Sequence, residues 1–333
     1  MYNISFTPND LEAQINGTGD IYRLEKKLAG FYGKKYCILT SNATMALFLA
    51  GLAMELQDSH IITSPFGWPG TLGPFVYLEN TFSFTDLDDH LCMDYSSIKN
   101  LITSRTKAII SQDTGGYAAD SKAIAREARK YGLKYISDSS QSMGAFRDGK
   151  PAGYYADAII VSFSAGKLLS AGEGGAIITD DEKIYEKIIL LSQHPHRQKK
   201  VFGISGYNPF TPFNARMHPL SAKWILRNWK KYPYYVEERR EKVKTILAQL
   251  KDSNCINKPD ISINASSFFK LFIKIKPNCI HRLANSSFKW TNDFSDLNIY
   301  EQALNKLTDH LINTSEFEKT INEKLKKYIE IIL

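Results

Sequence analysis

Lys167 and Asp138 are the residues whose types and setting invite chemistry. The stretch from Ala158 to Thr179, AIIVSFSAGKLLSAGEGGAIIT, reads as two short apolar strands flanking a polar, glycine-rich turn that carries Lys167. Desolvation beside buried strands disfavours an ammonium, so an amine placed there is pushed toward its neutral, nucleophilic form. That is the setting a Schiff-base lysine needs. With 42 Lys and Arg in the chain, the competing reading is an ordinary solvated loop lysine. Ser162, five residues upstream, adds a hydroxyl able to meet a phosphate, and Gly172, Gly174 and Gly175 let the backbone turn sharply into the next strand. Asp138 closes the alternating run LKYISD, 29 residues before Lys167, and so stands at the C-terminal end of another strand.

A lysine and a carboxylate at two strand ends form the arrangement a pyridoxal phosphate site uses. The lysine holds the aldehyde, and the carboxylate keeps the pyridine nitrogen protonated so that the ring can act as an electron sink. The pair alone is not diagnostic, because aspartate ends many strands. A place for an anion can be read further upstream. KKYCILTS reads as a strand, SNAT as a tight polar turn, and MALFLAGLAM as a helix apolar nearly all round and therefore buried. The free N–H groups and dipole at the start of such a helix attract a bound anion, and this points to Asn42, Ala43 and Thr44. An ordinary helix N-cap is the competing reading of the same residues.

These residues need elements to hold them. A chain of 333 residues is too long for a single core, so a large domain (1–240) and a smaller one (241–333) are expected. Residues 21–33 carry Ile21, Leu24, Leu28 and Phe31 at helical spacing, ending at Gly33. Beyond them strands and helices alternate at βα spacing: HIIT, FSFTDLD, SRTKAIISQD, the helix SKAIAREARKYG, then LKYISD. That alternation predicts a mostly parallel sheet flanked by helices, with ligands at the C-terminal strand ends. A helix DEKIYEKIILLSQ leads to a polar loop HPHRQKK, and residues 223–244 read as one long helix with a basic solvated face. Toward the end, SFFKLFIKIK alternates as a strand, and TSEFEKTINEKLKKYIEIIL predicts a closing amphipathic helix capped by Ser315 and Glu318.

Composition bounds the function. The chain is 43% hydrophobic and 23% charged, as in ordinary globular proteins. MYNISFTPNDLEAQ lacks the basic-then-apolar pattern of a signal peptide, and no apolar run approaches membrane-spanning length, so a cytoplasmic protein without a membrane partner is expected. Four cysteines without CxxC spacing argue for reduced thiols and against a metal site. The net charge of +7 invites a nucleic-acid reading, but a solvated helix face at 223–244 explains the same residues, and a phosphate-bearing substrate suits the bias. No nucleic-acid partner is expected.

Six segments in order carry a resemblance: SNATMALFLA (41–50), SRTKAII (104–110), SDSSQSMGA (137–145), VSFSAGK (161–167), GEGGAIIT (172–179) and NARM (214–217). Over roughly residues 17–240 the chain resembles the DegT/DnrJ/EryC1/StrS family of pyridoxal-phosphate-dependent aminotransferases, mostly nucleotide-sugar enzymes. The resemblance implies fold type I of the pyridoxal-phosphate-dependent transferases, like aspartate aminotransferase, with a smaller C-terminal α+β domain. It implies that Lys167 is the catalytic lysine and Asp138 the pyridinium partner, that Trp68 stacks on the ring, and that Gln141 bonds near the ring hydroxyl. The phosphate falls to Asn42, Ala43, Thr44 and Ser162, with Asn214 reaching across a homodimer to the neighbouring subunit's phosphate. His194 aligns with a histidine that contacts substrate in relatives. Met143 and Leu168 stand where many members have histidine and asparagine, and the last ninety or so residues are shorter than usual, which leaves the sugar-recognition loops unplaced.

The activity implied is transfer of an amino group from a donor such as glutamate to a nucleotide-linked keto-sugar, in cell-surface polysaccharide or secondary-metabolite biosynthesis. Lys167 argues against the branch in which histidine replaces this lysine and deoxygenation results. Two rivals stand beside this activity: another pyridoxal phosphate reaction, elimination or cyclisation of an amino-acid-like substrate, and a non-catalytic sensor or nucleic-acid-binding protein.

Overall fold

The computed structural model of the chain describes residues 7–252, 256, 264–276, 279, 289–293, 297 and 324–331. Helix α1 (Pro8–Asn16) starts where Thr7 donates its N–H (3.0 Å) and hydroxyl (2.9 Å) to the Asp10 carboxylate. Helix α2 (Gly19–Tyr32) buries Ile21, Leu24 and Leu28, and it stops where the spacing predicts, at Gly33 in the left-handed conformation. Tyr32 rather than Phe31 completes its buried face; Phe31 is half-buried.

The central sheet has seven strands. In chain order these are β1 (Tyr36–Thr40), β2 (His60–Thr63), β3 (Thr81–Phe84), β4 (Thr106–Gln112), β5 (Lys134–Asp138), β8 (Ala158–Ser162) and β9 (Gly175–Thr179), with the short hairpin β6 (Phe146–Arg147) and β7 (Lys150–Pro151) outside it. Their spatial order is β1-β9-β8-β5-β4-β2-β3, and β9 alone runs antiparallel to its neighbours. Both faces are covered. Ile61, Ile110 and Ile160 pack on one side with helix α3 (Ala43–Ala53) and helix α6 (Glu182–Ser192); Ile62, Ile109 and Ile159 pack on the other with α2 and helix α5 (Ser121–Lys130). Burial on two faces is why these strands read as near-continuous apolar runs. It is also why α3, enclosed by the sheet, α6 and helix α4 (Gly73–Tyr77), is apolar nearly all round.

Register decides what meets at the sheet's edge. Thr40 pairs with Gly175, Ser162 pairs with Gly175, and Gln112 pairs with Asp138. The C-terminal ends of the parallel strands and the start of β9 therefore lie in one row.

A second sheet of three strands, β10 (Leu271–Lys274), β12 (Tyr328–Ile331) and β11 (Trp290–Thr291), is antiparallel, with β12 in the middle. It seats on the turn after β4, where Ser267 N–H bonds Gly116 O (2.9 Å) and Lys270 N–H bonds Gly115 O (3.0 Å). Phe272 packs edge-on to Phe66, their ring centres 5.4 Å apart.

Three expectations are corrected. Residues 223–244 belong to two helices, α8 (Pro219–Asn228) and α9 (Tyr232–Asp252), because Pro233 has no N–H with which to continue the first. Along α9 the buried face is Val236, Val243, Ile246, Leu247 and Leu250, and the exposed cations are interleaved with Glu237, Glu238 and Glu241. HPHRQKK is no loop: it forms helix α7 (Pro195–Phe202) and buries Arg197 and Gln198. At the chain's end the cap residues Ser315 and Glu318 lie outside the described residues, and Tyr328–Ile331 is a strand rather than the last turn of a helix. Four residues are too few for periodicity to separate the two, and the backbone of β10 supplies the partner that decides. Among the described residues no helix is long and apolar enough to cross a membrane.

Candidate active site

A cavity of about 840 Å³ opens at the C-terminal strand ends. Lys167 reaches it from the hairpin between β8 and β9, which is closed by Phe163 N–H to Gly174 O and Ala165 N–H to Gly172 O, both 2.9 Å. Its ammonium lies 4.3 Å from the centre of the Phe269 ring, a face that attracts a cation but offers it no hydrogen bond. Burial pushes the Lys167 amine below the ordinary lysine range; the Asp138 carboxylate opposes that shift, and the Lys270 ammonium adds to it. Lys167 is thus a desolvated amine that shares a cavity with the Asp138 carboxylate.

Asp138 is held from two sides. Its Oδ1 accepts from Ser140 N–H (3.1 Å), and its Oδ2 accepts the Thr71 hydroxyl at 2.5 Å. Thr71 also lies 3.0 Å from Gln112 Oε1, which accepts the Trp68 N–H at 2.9 Å. Gln112 thereby ties the loop carrying Trp68 to the strand beside Asp138. Gly67 permits this approach: at its φ of +153° a Cβ would stand 2.1 Å from Gln112 Oε1. Trp68 lines the cavity with 58% of its surface exposed, a large apolar face turned to solvent.

The turn before α3 leaves backbone N–H groups at the cavity. Asn42 caps the helix by accepting Met45 N–H at 2.7 Å, so its side chain is engaged and the N–H groups of Ala43 and Thr44 are those left at the cavity. Gly175 makes room for it: a Cβ there would meet the backbone of Asn42 and Ala43 at 2.4–2.6 Å. Ser162 Oγ, buried beside this turn, is 3.1 Å from Ser164 Oγ. Gln141 lines the opposite wall and accepts Gly115 N–H at 2.8 Å, which turns its amide nitrogen away from that bond. Two buried polar atoms in the cavity lining, Gln112 Nε2 and Ser140 Oγ, have no partner among the described residues. Buried groups of this kind are bonded to something in nearly all native proteins, and here the cavity is what they face.

The structure thus brings together Asn42, Ala43, Thr44, Trp68, Asp138, Gln141, Ser162 and Lys167. His194 and Asn214 are outside the cavity. His194 caps α7, its Nδ1 accepting His196 N–H at 3.2 Å, and burial, His196 and Arg216 lower its pKa. Asn214 is exposed, next to the Ala215 carbonyl that accepts Ser41 N–H at 2.8 Å. Thr71, Gln112, Ser140, Phe269 and Lys270 also line the cavity and were not singled out from the sequence. Gln112 carried a usable signal: in a parallel sheet, the end of the strand before Asp138 is its neighbour. Phe269 and Lys270 carried none, because they arrive from the second sheet.

Residues 12–291 match the DegT/DnrJ/EryC1/StrS aminotransferase family. The chain belongs to this family. Among its relatives, the UDP-4-amino-4,6-dideoxy-N-acetyl-beta-L-altrosamine transaminase of Helicobacter pylori is 28% identical over 232 residues, covering 69% of this chain and 61% of that one. The spore coat polysaccharide biosynthesis protein SpsC of Bacillus subtilis is 34% identical over 176 residues, 52% of this chain and 45% of its own. The chain thus spans about half to three-fifths of the length of these curated relatives. Solved structures share the fold: an aminotransferase of Psychrobacter cryohalolentis (TM-score 0.82, 22% identity, covering 99% of this chain and 92% of its own) and PseC of Helicobacter pylori (TM-score 0.78, 23% identity, 98% and 91%). The family member described here therefore places Lys167 and Asp138 within the fold type expected from its sequence.

Proposed function

We propose that this protein is a pyridoxal-phosphate-dependent aminotransferase that takes an amino group from a donor such as glutamate and delivers it to a nucleotide-linked keto-sugar. The observation that carries the proposal is the desolvated Lys167 amine facing the Asp138 carboxylate in a cavity whose other end is a helix N-terminus. The residues present fit the cofactor. The N–H groups of Ala43 and Thr44, with Ser162, suit its phosphate; Asp138 suits its pyridine nitrogen; and the unpartnered Gln112 Nε2 and Ser140 Oγ are donors awaiting polar atoms. A volume of about 840 Å³ has room for a cofactor and part of a substrate.

When bound, pyridoxal phosphate supplies an electron sink for the pair of electrons released at the donor's α-carbon. Lys167 is the nucleophile that anchors the cofactor, and its lowered pKa keeps a larger neutral fraction than a solvated lysine has. Released by the incoming amine, the same nitrogen moves the donor's α-proton. Asp138, oriented by Thr71 and Ser140, would hold the ring nitrogen of the cofactor. Trp68 supplies a flat apolar cover for the ring and shields it from water. Gln141 bonds the ring's polar substituent. Asn214, outside the cavity of its own chain, serves the phosphate of the neighbouring subunit in a homodimer, and His194 is a substrate contact. Relatives whose names include UDP-sugar transaminases support the acceptor class.

The absorption spectrum of the purified protein with pyridoxal phosphate tests this, before and after glutamate and again in Lys167→Ala. A cofactor band above 400 nm that glutamate bleaches, and that the variant never forms, is the expected result. A band insensitive to amino donors would replace transfer with elimination or cyclisation. Failure to take up the cofactor would end the assignment.

A further inference from the structure

Lys270 stands in the wall of the cavity, and none of the chemistry above uses it. It immediately precedes β10, its N–H bonded to Gly115 O at 3.0 Å, and its ammonium lies 2.9 Å from each carboxylate oxygen of Glu330 on β12. The pair is mostly shielded, with side chains 29% and 13% exposed. Its effect is felt at the reacting group, because the charge of Lys270 is one of the forces lowering the pKa of Lys167. Two like charges at one cavity disfavour each other, so the second needs a reason to be there.

Charge balance supplies one. Every amino-acid donor carries an α-carboxylate next to the amine that reacts, and a carboxylate entering a partly desolvated site needs a cation. Among the described residues lining the cavity the cations are Lys167 and Lys270, and Lys167 is committed to the reacting amine. Arg239 and Lys242 flank a separate cleft behind the Lys167 loop. The ion pair is not required to set the register of β10 on β12, which the backbone ladder from Leu271–Ile331 to Lys274–Tyr328 already fixes. An ammonium has three protons, and Glu330 accepts two of them, which leaves a third donor for a group in the cavity.

We propose that Lys270, held in place by Glu330, binds the α-carboxylate of the amino donor; the proposal rests on the amino-transfer reading of the cavity. Glu330 then acts as a positioning residue that aims the ammonium without being needed for its charge. Lys270 is the residue that selects amino acids over simple amines.

The test compares wild type, Lys270→Met, Lys270→Arg and Glu330→Gln, each loaded with pyridoxal phosphate. L-glutamate and L-glutamine are titrated while the cofactor absorbance is followed, and succinate, which has no amine to give, is titrated by calorimetry. Lys270→Met should raise the half-saturating concentration of both amino acids at least tenfold while changing the limiting rate by less than threefold, and should weaken succinate to the same degree. Lys270→Arg should restore most of the affinity, and Glu330→Gln should keep carboxylate binding at or above the wild-type level. A Lys270→Met half-saturation within twofold of wild type overturns the proposal. So does a loss confined to glutamate, which would mean a side-chain carboxylate is read, or a Glu330→Gln defect as large as that of Lys270→Met, which would mean the pair is only structural. If Lys270→Met does not fold, Glu330→Gln decides alone: a tenfold or greater loss of amino-acid and succinate binding overturns the proposal, and binding at or above the wild-type level supports it. A wild type that binds succinate through Lys270 but never bleaches with amino acids would sink the transfer reading and keep the carboxylate site; one that does neither sinks both.

Discussion

Buried charge is treated in opposite ways in two regions of this molecule. Between α2 and α7, Glu25 and Arg197 lock together with two 2.9 Å bonds, Gln193 Oε1 accepts a further Arg197 proton at 3.1 Å, and Leu39 N–H donates to Glu25 at 3.2 Å. In the cavity, Lys167 faces an aromatic ring, and Gln112 Nε2 and Ser140 Oγ have no partner among the described residues. The first region is closed and the second is open to a ligand. Glu25 and Arg197 meet their bonds within the fold, whereas Gln112 Nε2 and Ser140 Oγ face the cavity.

Removing one group from each region is the strongest way to break this contrast. Lys167→Ala should lower turnover by about 10²–10⁴-fold or more, through loss of nucleophile and proton carrier, while thermal stability stays equal or rises because a desolvated amine is gone. A melting curve measured beside the steady-state rate checks both. Arg197→Met should do the reverse. Stranding Glu25 in a buried site costs about 3–5 kcal/mol of stability in a denaturant titration, with the rate per folded molecule unchanged. If Arg197→Met cost nothing, the pair would be no more structural than the cavity is.

Asp113 sharpens the contrast because it borders both kinds. It receives bonds from Ser139 (2.6 Å), Ser142 (3.2 Å), Ser137 (3.3 Å) and Ala119 N–H (2.8 Å), but among the described residues no cation pairs with it. Burial outweighs those bonds and pushes its carboxyl up from 3.8 to about 6. A raised folded pKa means the native state holds this proton more tightly. The associated stability is therefore complete below pH 3.8 and lost as pH rises through 6, about 3 kcal/mol at 1.36 kcal/mol per pKa unit. Wild-type stability should fall relative to Asp113→Asn across that window, and parallel curves would show the carboxyl is not neutral when buried.

The smallest expected effect tests the turn. Gly175→Ala would place a methyl 2.4 Å from the Asn42 carbonyl carbon and shift the start of α3. Affinity for pyridoxal phosphate should drop about tenfold, near 1.4 kcal/mol, and the melting temperature should fall as well, because the methyl meets backbone that cannot swing aside. Equilibrium dialysis measures the affinity. An unchanged affinity would mean the phosphate is held elsewhere.

Much of the site was legible before any coordinates. Lys167, Asp138 and the Asn42–Thr44 turn each sit at the end of an apolar run, and strand-to-loop boundaries are local features. Arg197 was not legible. Within HPHRQKK it looks like one more solvated cation, and what buries it is Glu25, 172 residues away in the chain. The break between α8 and α9 was signalled by Pro233 and overridden by the long basic pattern around it, whereas the strand at Tyr328–Ile331 depends on a partner the local pattern cannot contain.

By itself the sequence determined the alternation of strands and helices, the parallel sheet and the residues that stand at its strand ends, because period, glycine and burial act over a few residues at a time. Tertiary structure decided which of those ends are neighbours, through the register that sets Gln112 beside Asp138 and Gly175 beside Thr40. It also decided that the second sheet delivers Phe269 and Lys270 to the same cavity, lowering the pKa of Lys167. Desolvation and charge act through space, and only the folded chain fixes those distances.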